Sequence, residues 1–243
     1  MKYLLLLISF NIYASNKSIC SATDSREQLF NKPVARLSKS TGTKGCTATL
    51  IGKSCAITAG HCVKNLYRGE FNVPNSVDGE AIAANKEDTF LIDSKSISFQ
   101  DEGRGNDWAV FKFSKNKLTG KYPGEVFGKY EIELYEPTTS EPLRISGYGA
   151  HYDDNTLAYT LLSAVGFADY IGYSEEGRTL LNHKVDTTPG SSGSSVINER
   201  TNKIIGIHGQ GGCASSRIIW NSATMIKHHK KIQAAIKTCL ESE

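Results

Sequence analysis

The chain is poor in the features that mark non-globular proteins. Six prolines in 243 residues, with no Gly-X-Y period, exclude a collagenous chain, and 39% hydrophobic residues against 22% charged exclude intrinsic disorder. After the first residues no apolar run approaches the roughly 20 residues that span a bilayer, so a polytopic membrane protein is excluded. Neither charge sign dominates: 28 Lys and Arg face 25 Asp and Glu, and no block of like charge implies a nucleic-acid partner. There is no repeat of fixed period and no low-complexity tract. What is left is a globular chain long enough to bury a sizeable core. Its six cysteines are too few for a disulfide-dominated miniprotein, but their even number invites pairing outside the cytosol.

The start of the chain meets that condition. Lys2, the apolar run Tyr3 to Phe10 and the small residue Ala14 have the layout of a signal peptide, read here as 1–14. The expectation is therefore a secreted protein, extracellular or periplasmic, in a compartment where disulfides persist. Residues 15–33 are expected to be an N-terminal segment or a short propeptide ending by about Arg36.

From 34 to 213 the pattern is of short apolar or alternating segments separated by Gly, Asn, Asp and Pro. Examples are Ala48-Thr49-Leu50-Ile51, Trp108-Ala109-Val110-Phe111-Lys112-Phe113 and Ile204-Ile205-Gly206-Ile207-His208. Such spacing predicts an all-β sandwich or barrel rather than βα units. Residues 121–142, with Pro123, Pro137 and Pro142, read as a linker between a β half at 34–120 and another at 143–221. The tail differs: with Asn221 or Ser222 as a cap, Met225, Ile226, Ile232, Ala235 and Ile236 fall at helical spacing, which predicts a helix over 222–243.

Three segments carry chemistry. Thr58-Ala59-Gly60-His61-Cys62 follows an apolar strand and surrounds its histidine with small residues; Cys46, sixteen positions earlier, could staple a strand pair there. Asn106-Asp107-Trp108 puts an acid at the entrance of a strongly apolar strand. Thr187-Thr188-Pro189-Gly190-Ser191-Ser192-Gly193-Ser194-Ser195 is a tight Ser/Gly turn ahead of another strand. Taken singly, each has a bland reading as a structural histidine, a turn-capping acid or a flexible loop. Taken together they run His, Asp, Ser, at separations of 46 and 85 residues.

In this order and context the chain resembles the chymotrypsin-fold serine endopeptidases, over roughly 34–238. The resemblance implies an all-β fold of two six-stranded antiparallel barrels with a C-terminal helix, and a site between the barrels. It also implies a Cys46–Cys62 bridge. It assigns His61, Asp107 and Ser192 as the catalytic triad, and the backbone N–H groups of Gly190 and Ser192 as the oxyanion hole. The chemistry is consistent with the residue types: a serine hydroxyl is a weak nucleophile until a base takes its proton, and an acid fixes the imidazole tautomer. Pro189 and Ser195 depart from the usual turn, and their effect falls on loop geometry rather than on the triad.

Within that fold the chain is most similar to the bacterial glutamyl endopeptidases. They carry a Thr-Thr-Gly-Gly-Asn-Ser-Gly-Ser-Pro turn and an Ile-Gly-Ile-His strand, here 187–195 and Ile205-Gly206-Ile207-His208. The Thr187 hydroxyl and His208 imidazole would then offer donors to a substrate carboxylate, giving cleavage after Glu and less readily after Asp. A trypsin-like or broad specificity is the alternative. Asp186 stands six before Ser192, although the cysteine of the trypsin-type loop is replaced by Thr188.

Cys20, Cys55, Cys213 and Cys239 allow three pairings. The family fold, by packing the last helix on the first barrel, favours Cys55–Cys239 and leaves Cys20–Cys213. A zinc site from Cys46, Cys55, His61 and Cys62 matches no ligand spacing. His208-Gly209-Gln210-Gly211-Gly212 is similar to a lipase oxyanion loop, but no Gly-x-Ser-x-Gly elbow surrounds Ser192. A non-catalytic homologue is the alternative from another class, and it usually lacks a triad member. His228-His229-Lys230-Lys231 reads as a solvated helix face, while His151 and His183 have no motif partner. The expectations are completed by no cofactor or metal, polypeptide substrates, no nucleic-acid partner, no stable membrane association after signal cleavage, and a monomer.

Overall fold

The computed structural model describes residues 18–30, 32–42, 44–213 and 220–243; the expected signal peptide, 1–14, lies outside the described residues. A two-residue strand, β1 (Glu27–Gln28), precedes the first barrel. That barrel consists of β2 (Val34–Ser38), β3 (Lys44–Leu50), β4 (Cys55–Thr58), β5 (Arg68–Glu70), β6 (Thr89–Asp101) and β7 (Asp107–Phe113), closed in the order β2-β3-β4-β7-β6-β5. After a short helix, α1 (Pro123–Phe127), the second barrel consists of β8 (Pro142–Gly147), β9 (Leu162–Ser174), β10 (Gly177–His183), β11 (Ser195–Asn198), β12 (Lys203–Gln210) and β13 (Asn221–Met225). Its order is β9-β10-β13-β12-β11-β8, closed by β8 on β9, with β1 added to the end of β9. All these pairings are antiparallel. The chain ends in α2 (Lys230–Glu241). The expected fold, two closed six-stranded barrels and a C-terminal helix, is the fold found.

The apolar runs have a simple cause. Alternate residues of β2, β3 and β7 (Ala35 and Leu37, Ala48 and Leu50, Phe111 and Phe113) fill the first barrel with Phe71 and Phe90. The opposite faces are not left to water. Val34, Ile57, Val110, Ile197, Ile204 and Ile207 meet between the barrels and under α2 with Ile232 and Ile236. Strands apolar on both faces therefore read as continuous runs rather than alternations. Phe127 of α1 stacks on Phe71 at 4.4 Å between ring centroids, which covers one end of the first barrel. The segment 121–142 docks on both halves: the N–H of Tyr130 donates to Leu50 and that of Glu133 to Ile204.

The C-terminal element begins later than its periodicity predicts. Residues 221–225 are strand β13, buried at every position because β10 and β12 flank it and Ala223 and Met225 fill the second barrel. The helix starts only at Lys230, where the side chain of His229 accepts from the Ile232 N–H, and it buries Ile232, Ile236 and Cys239. The reading of 228–231 as a solvated face is corrected at the same place. His229 is fully buried, packs edge-on against Trp108 at 5.6 Å and lies 2.9 Å from Asn106 Oδ1. Disulfides join Cys46 to Cys62, Cys55 to Cys239 and Cys20 to Cys213. Among the described residues no helix is long and apolar enough to cross a membrane.

Candidate active site

His61 leaves β4 on a 3₁₀ turn, Gly60–Asn65, at the cleft between the barrels. Gly60 permits this turn, since a Cβ there would run into the carbonyls of Gln100 and Trp108. The Cys46–Cys62 bridge fixes the turn to β3. Its two sulphurs are the reason that Cys46, Cys62 and His61 cluster, and they are bonded to each other.

Asp107, the first residue of β7, is buried and engages His61 twice. Oδ1 accepts from the His61 N–H at 3.0 Å, and Oδ2 lies 2.7 Å from His61 Nδ1. A carboxylate only accepts, so Nδ1 carries the imidazole proton and Nε2 keeps its lone pair. The Asp107 hydrogen bond raises the His61 pKa above its ordinary 6.5, burial opposes it, and the charges of Asp107 and Asp101 add to the rise. The His61 side chain is still 37% exposed.

Ser192 sits in the turn before β11, which is built by crossed backbone bonds. The N–H of Ser191 donates to Thr188, that of Ser194 to Ser191, that of Gly193 to His208, and that of His208 back to Ser194. Thr47 on β3 ties the turn to the first barrel: its N–H donates to the Ser192 carbonyl at 2.8 Å and its hydroxyl to that of Gly190 at 3.0 Å. Cys62 Sγ is 3.9 Å from the same Ser192 carbonyl, which places Ser192 beside the residue following His61. Its Oγ donates weakly to the Gly209 carbonyl at 3.4 Å. Gly190 has φ +106°, and a Cβ there would lie 2.5 Å from the Tyr148 carbonyl, so only glycine fits. Among the described residues the N–H groups of Gly190 and Ser192 have no acceptor, whereas those of Ser191, Gly193 and Ser194 do.

The residues expected to receive a substrate side chain are both buried. Thr187 Oγ1 has no partner among the described residues. His208 meets His183, which had no motif partner in sequence. The Val185 N–H donates to His183 Nδ1 at 3.3 Å, so Nε2 carries the proton offered to His208 Nδ1 at 3.2 Å. Burial pushes His208 down to about 4 and His183 well below its ordinary value, so both rings are neutral near pH 7. Asp186, the residue before Thr187, is covered by residues 20–25. Sequence reading missed Thr47, His183 and also Thr224 of β13, whose hydroxyl bonds the Asp107 backbone; their contributions are hydrogen bonds across the chain with no local signature.

The trypsin family, described as Trypsin, matches residues 23–229. Among solved structures the chain is similar to a Glu endopeptidase in complex with MPD, with TM-score 0.64 and 20% identity over 89% of this chain and 99% of that one. It is also similar to AL20, a thermostable serine protease from an extremophilic microorganism, with TM-score 0.62 and 15% identity over 88% and 99% of the two chains. A third is the protease Anisep from Arthrobacter nicotinovorans, with TM-score 0.61 and 16% identity over 89% and 99%. At these identities the likeness concerns the fold. No curated protein matches the chain in sequence.

Proposed function

We propose, from the premise that this chain belongs to the trypsin family and is a serine endopeptidase, that His61, Asp107 and Ser192 do its chemistry. The observation that carries the reading is the 2.7 Å contact of His61 Nδ1 with Asp107, which leaves Nε2 as a base, on the residue preceding Cys62, whose Sγ lies 3.9 Å from the Ser192 carbonyl. Ser192 Oγ gives up its weak contact with Gly209, turns to Nε2, loses its proton there and attacks the scissile carbonyl. Asp107 stabilises the imidazolium that forms and does not itself take the proton. The developing oxyanion is received by the N–H groups of Gly190 and Ser192, each worth about 3 kcal/mol of barrier by comparison with measured losses of such donors. The imidazolium then protonates the leaving amine, and water, activated by the same imidazole, releases the acyl group from Ser192.

Glu, and less readily Asp, is the proposed residue before the scissile bond. The support is the likeness of 187–195 and 205–208 to the glutamyl turn and strand, together with the unpartnered Thr187 hydroxyl; the neutral His208 ring is itself engaged by His183 at Nδ1 and by the Ser222 backbone. Secretion is the proposed destination, in keeping with three disulfides. The specificity is tested with peptides that differ only before the scissile bond. The highest kcat/KM is expected for Glu, and a preference for Arg or Lys overturns it.

A further inference from the structure

Residues 18–26 form a strap across the wall that precedes the nucleophile. The Ser18 carbonyl accepts from the Thr187 N–H at 3.2 Å and from Asn221 Nδ2 at 2.9 Å. The Ser18 hydroxyl fills the place that a Cβ on Gly211 would need. Ser18 thus sits between Thr187, in the segment before Ser192, and Gly211, just after β12, the strand that carries His208. Two residues further on, Cys20 is bonded to Cys213, beyond Gly211.

The strap also takes up the carboxylate of Asp186, which is buried. Oδ1 accepts from the N–H groups of Cys20 at 2.7 Å and Ser21 at 2.9 Å. Oδ2 accepts from the Ser25 N–H at 3.1 Å and the Ser25 hydroxyl at 2.6 Å. All four donors are neutral and all come from the strap. A buried carboxylate is tolerated when its lone pairs are so filled, and it is costly otherwise. The strap is fastened at its far end as well. Arg26 donates to Thr188 Oγ1 at 2.6 Å and to the Ala150 carbonyl at 2.9 Å, and pairs with Asp24 at 2.6 Å. It is held to the rest of the chain by a disulfide, by the Arg26 bonds to Thr188 and Ala150 and, just beyond it, by the pairing of β1 with β9, so it is a fixed part of the fold.

We infer that this strap is a specificity-determining element, which withdraws Asp186 from the pocket and so denies a counter-charge to basic side chains. The inference rests on the reading of the pocket given under the proposed function. It explains how a chain with an acid six residues before Ser192 can accept an acidic side chain. The carboxylate's lone pairs face strap amides, and its charge is dispersed over them rather than presented to the substrate.

The experiment loosens the strap and reads selectivity. In the variant Cys20→Ser, Cys213→Ser, Ser25→Ala, kcat/KM is measured on matched peptides with Arg or Glu before the scissile bond, per site labelled by a fluorophosphonate. The ratio of Arg to Glu cleavage is expected to rise about tenfold or more. Adding Asp186→Asn in that background is expected to abolish the rise. A labelled variant whose ratio stays within about twofold of the parent overturns the inference. Ser25→Ala alone, with the disulfide intact, is the second variant should the triple one not fold; a smaller rise of about threefold is expected, and no rise overturns it. A parent that prefers an uncharged residue would sink the glutamyl reading alone, since the Arg ratio is then taken against that preferred peptide, whereas a parent that prefers Arg or Lys overturns both.

Discussion

Thr224 holds Asp107 by the backbone: its hydroxyl accepts from the Asp107 N–H at 3.0 Å and donates to the Asp107 carbonyl at 3.1 Å. Thr224 lies on β13 of the second barrel and Asp107 opens β7 of the first, so one hydroxyl fixes the acid and joins the barrels. Both residues are buried, and no water-exposed route replaces these bonds. Thr224→Val keeps the shape but strands a buried donor and acceptor. A loss of about 1–3 kcal/mol in unfolding free energy is expected, with a fall in kcat larger than any change in KM. Thr224→Ser should restore most of both. Denaturant melts and steady-state kinetics on the two variants check this, and equal behaviour of Val and Ser contradicts it.

The His61–Asp107 contact sets a pH profile. General-base catalysis needs neutral His61, and the Asp107 hydrogen bond raises its pKa above 6.5. The kcat/KM curve is therefore expected to climb with pH through an inflection above 6.5. Asp107→Asn removes the bond and charge that favour the imidazolium, so the His61 inflection moves down, and the wrong tautomer lowers kcat by about 10⁴-fold. Proton NMR of the imidazole reads the inflection where the rate is too low. An inflection that does not move in the variant contradicts this reading.

The buried His183–His208 pair predicts acid sensitivity. Folding keeps His208 neutral down to about 4, whereas in the unfolded chain it binds a proton near 6.5. The unfolded state therefore holds more protons between those values, and stability is lost as pH falls through that window. His208 alone accounts for about 3 kcal/mol of that loss, by order of magnitude. His183 adds in the same direction. Urea midpoints taken at pH 7 and just above pH 4 are expected to fall less in His183→Gln, His208→Gln than in the parent. Equal losses in the two proteins contradict the assignment of neutral rings.

How much of this was legible in sequence depended on the range of the interactions. The turns carrying His61 and Ser192 could be read locally, because small residues crowd a functional side chain there and Gly190 meets a need for positive φ. The strands were legible as apolar segments. The start of the last helix was not: Ala223 and Met225 fill a barrel, and their spacing also suits a helix. Residues that act across the chain left no pattern. Thr224 is 117 positions from Asp107, the Cys20 amide 166 from Asp186, and His229 123 from Asn106, so only folding reveals the partnerships. His183 looked unpartnered for the same reason, with His208 25 residues away on a different strand.

The central claim, that Ser192 is a nucleophile activated by His61, is tested most directly by fluorophosphonate labelling with peptide mapping. The parent protein is expected to carry the label on Ser192, with labelling lost in Ser192→Ala and reduced by orders of magnitude in His61→Ala. A folded parent that never labels, or a Ser192→Ala protein that labels as well as the parent, contradicts the account and favours a binding protein that keeps the protease fold.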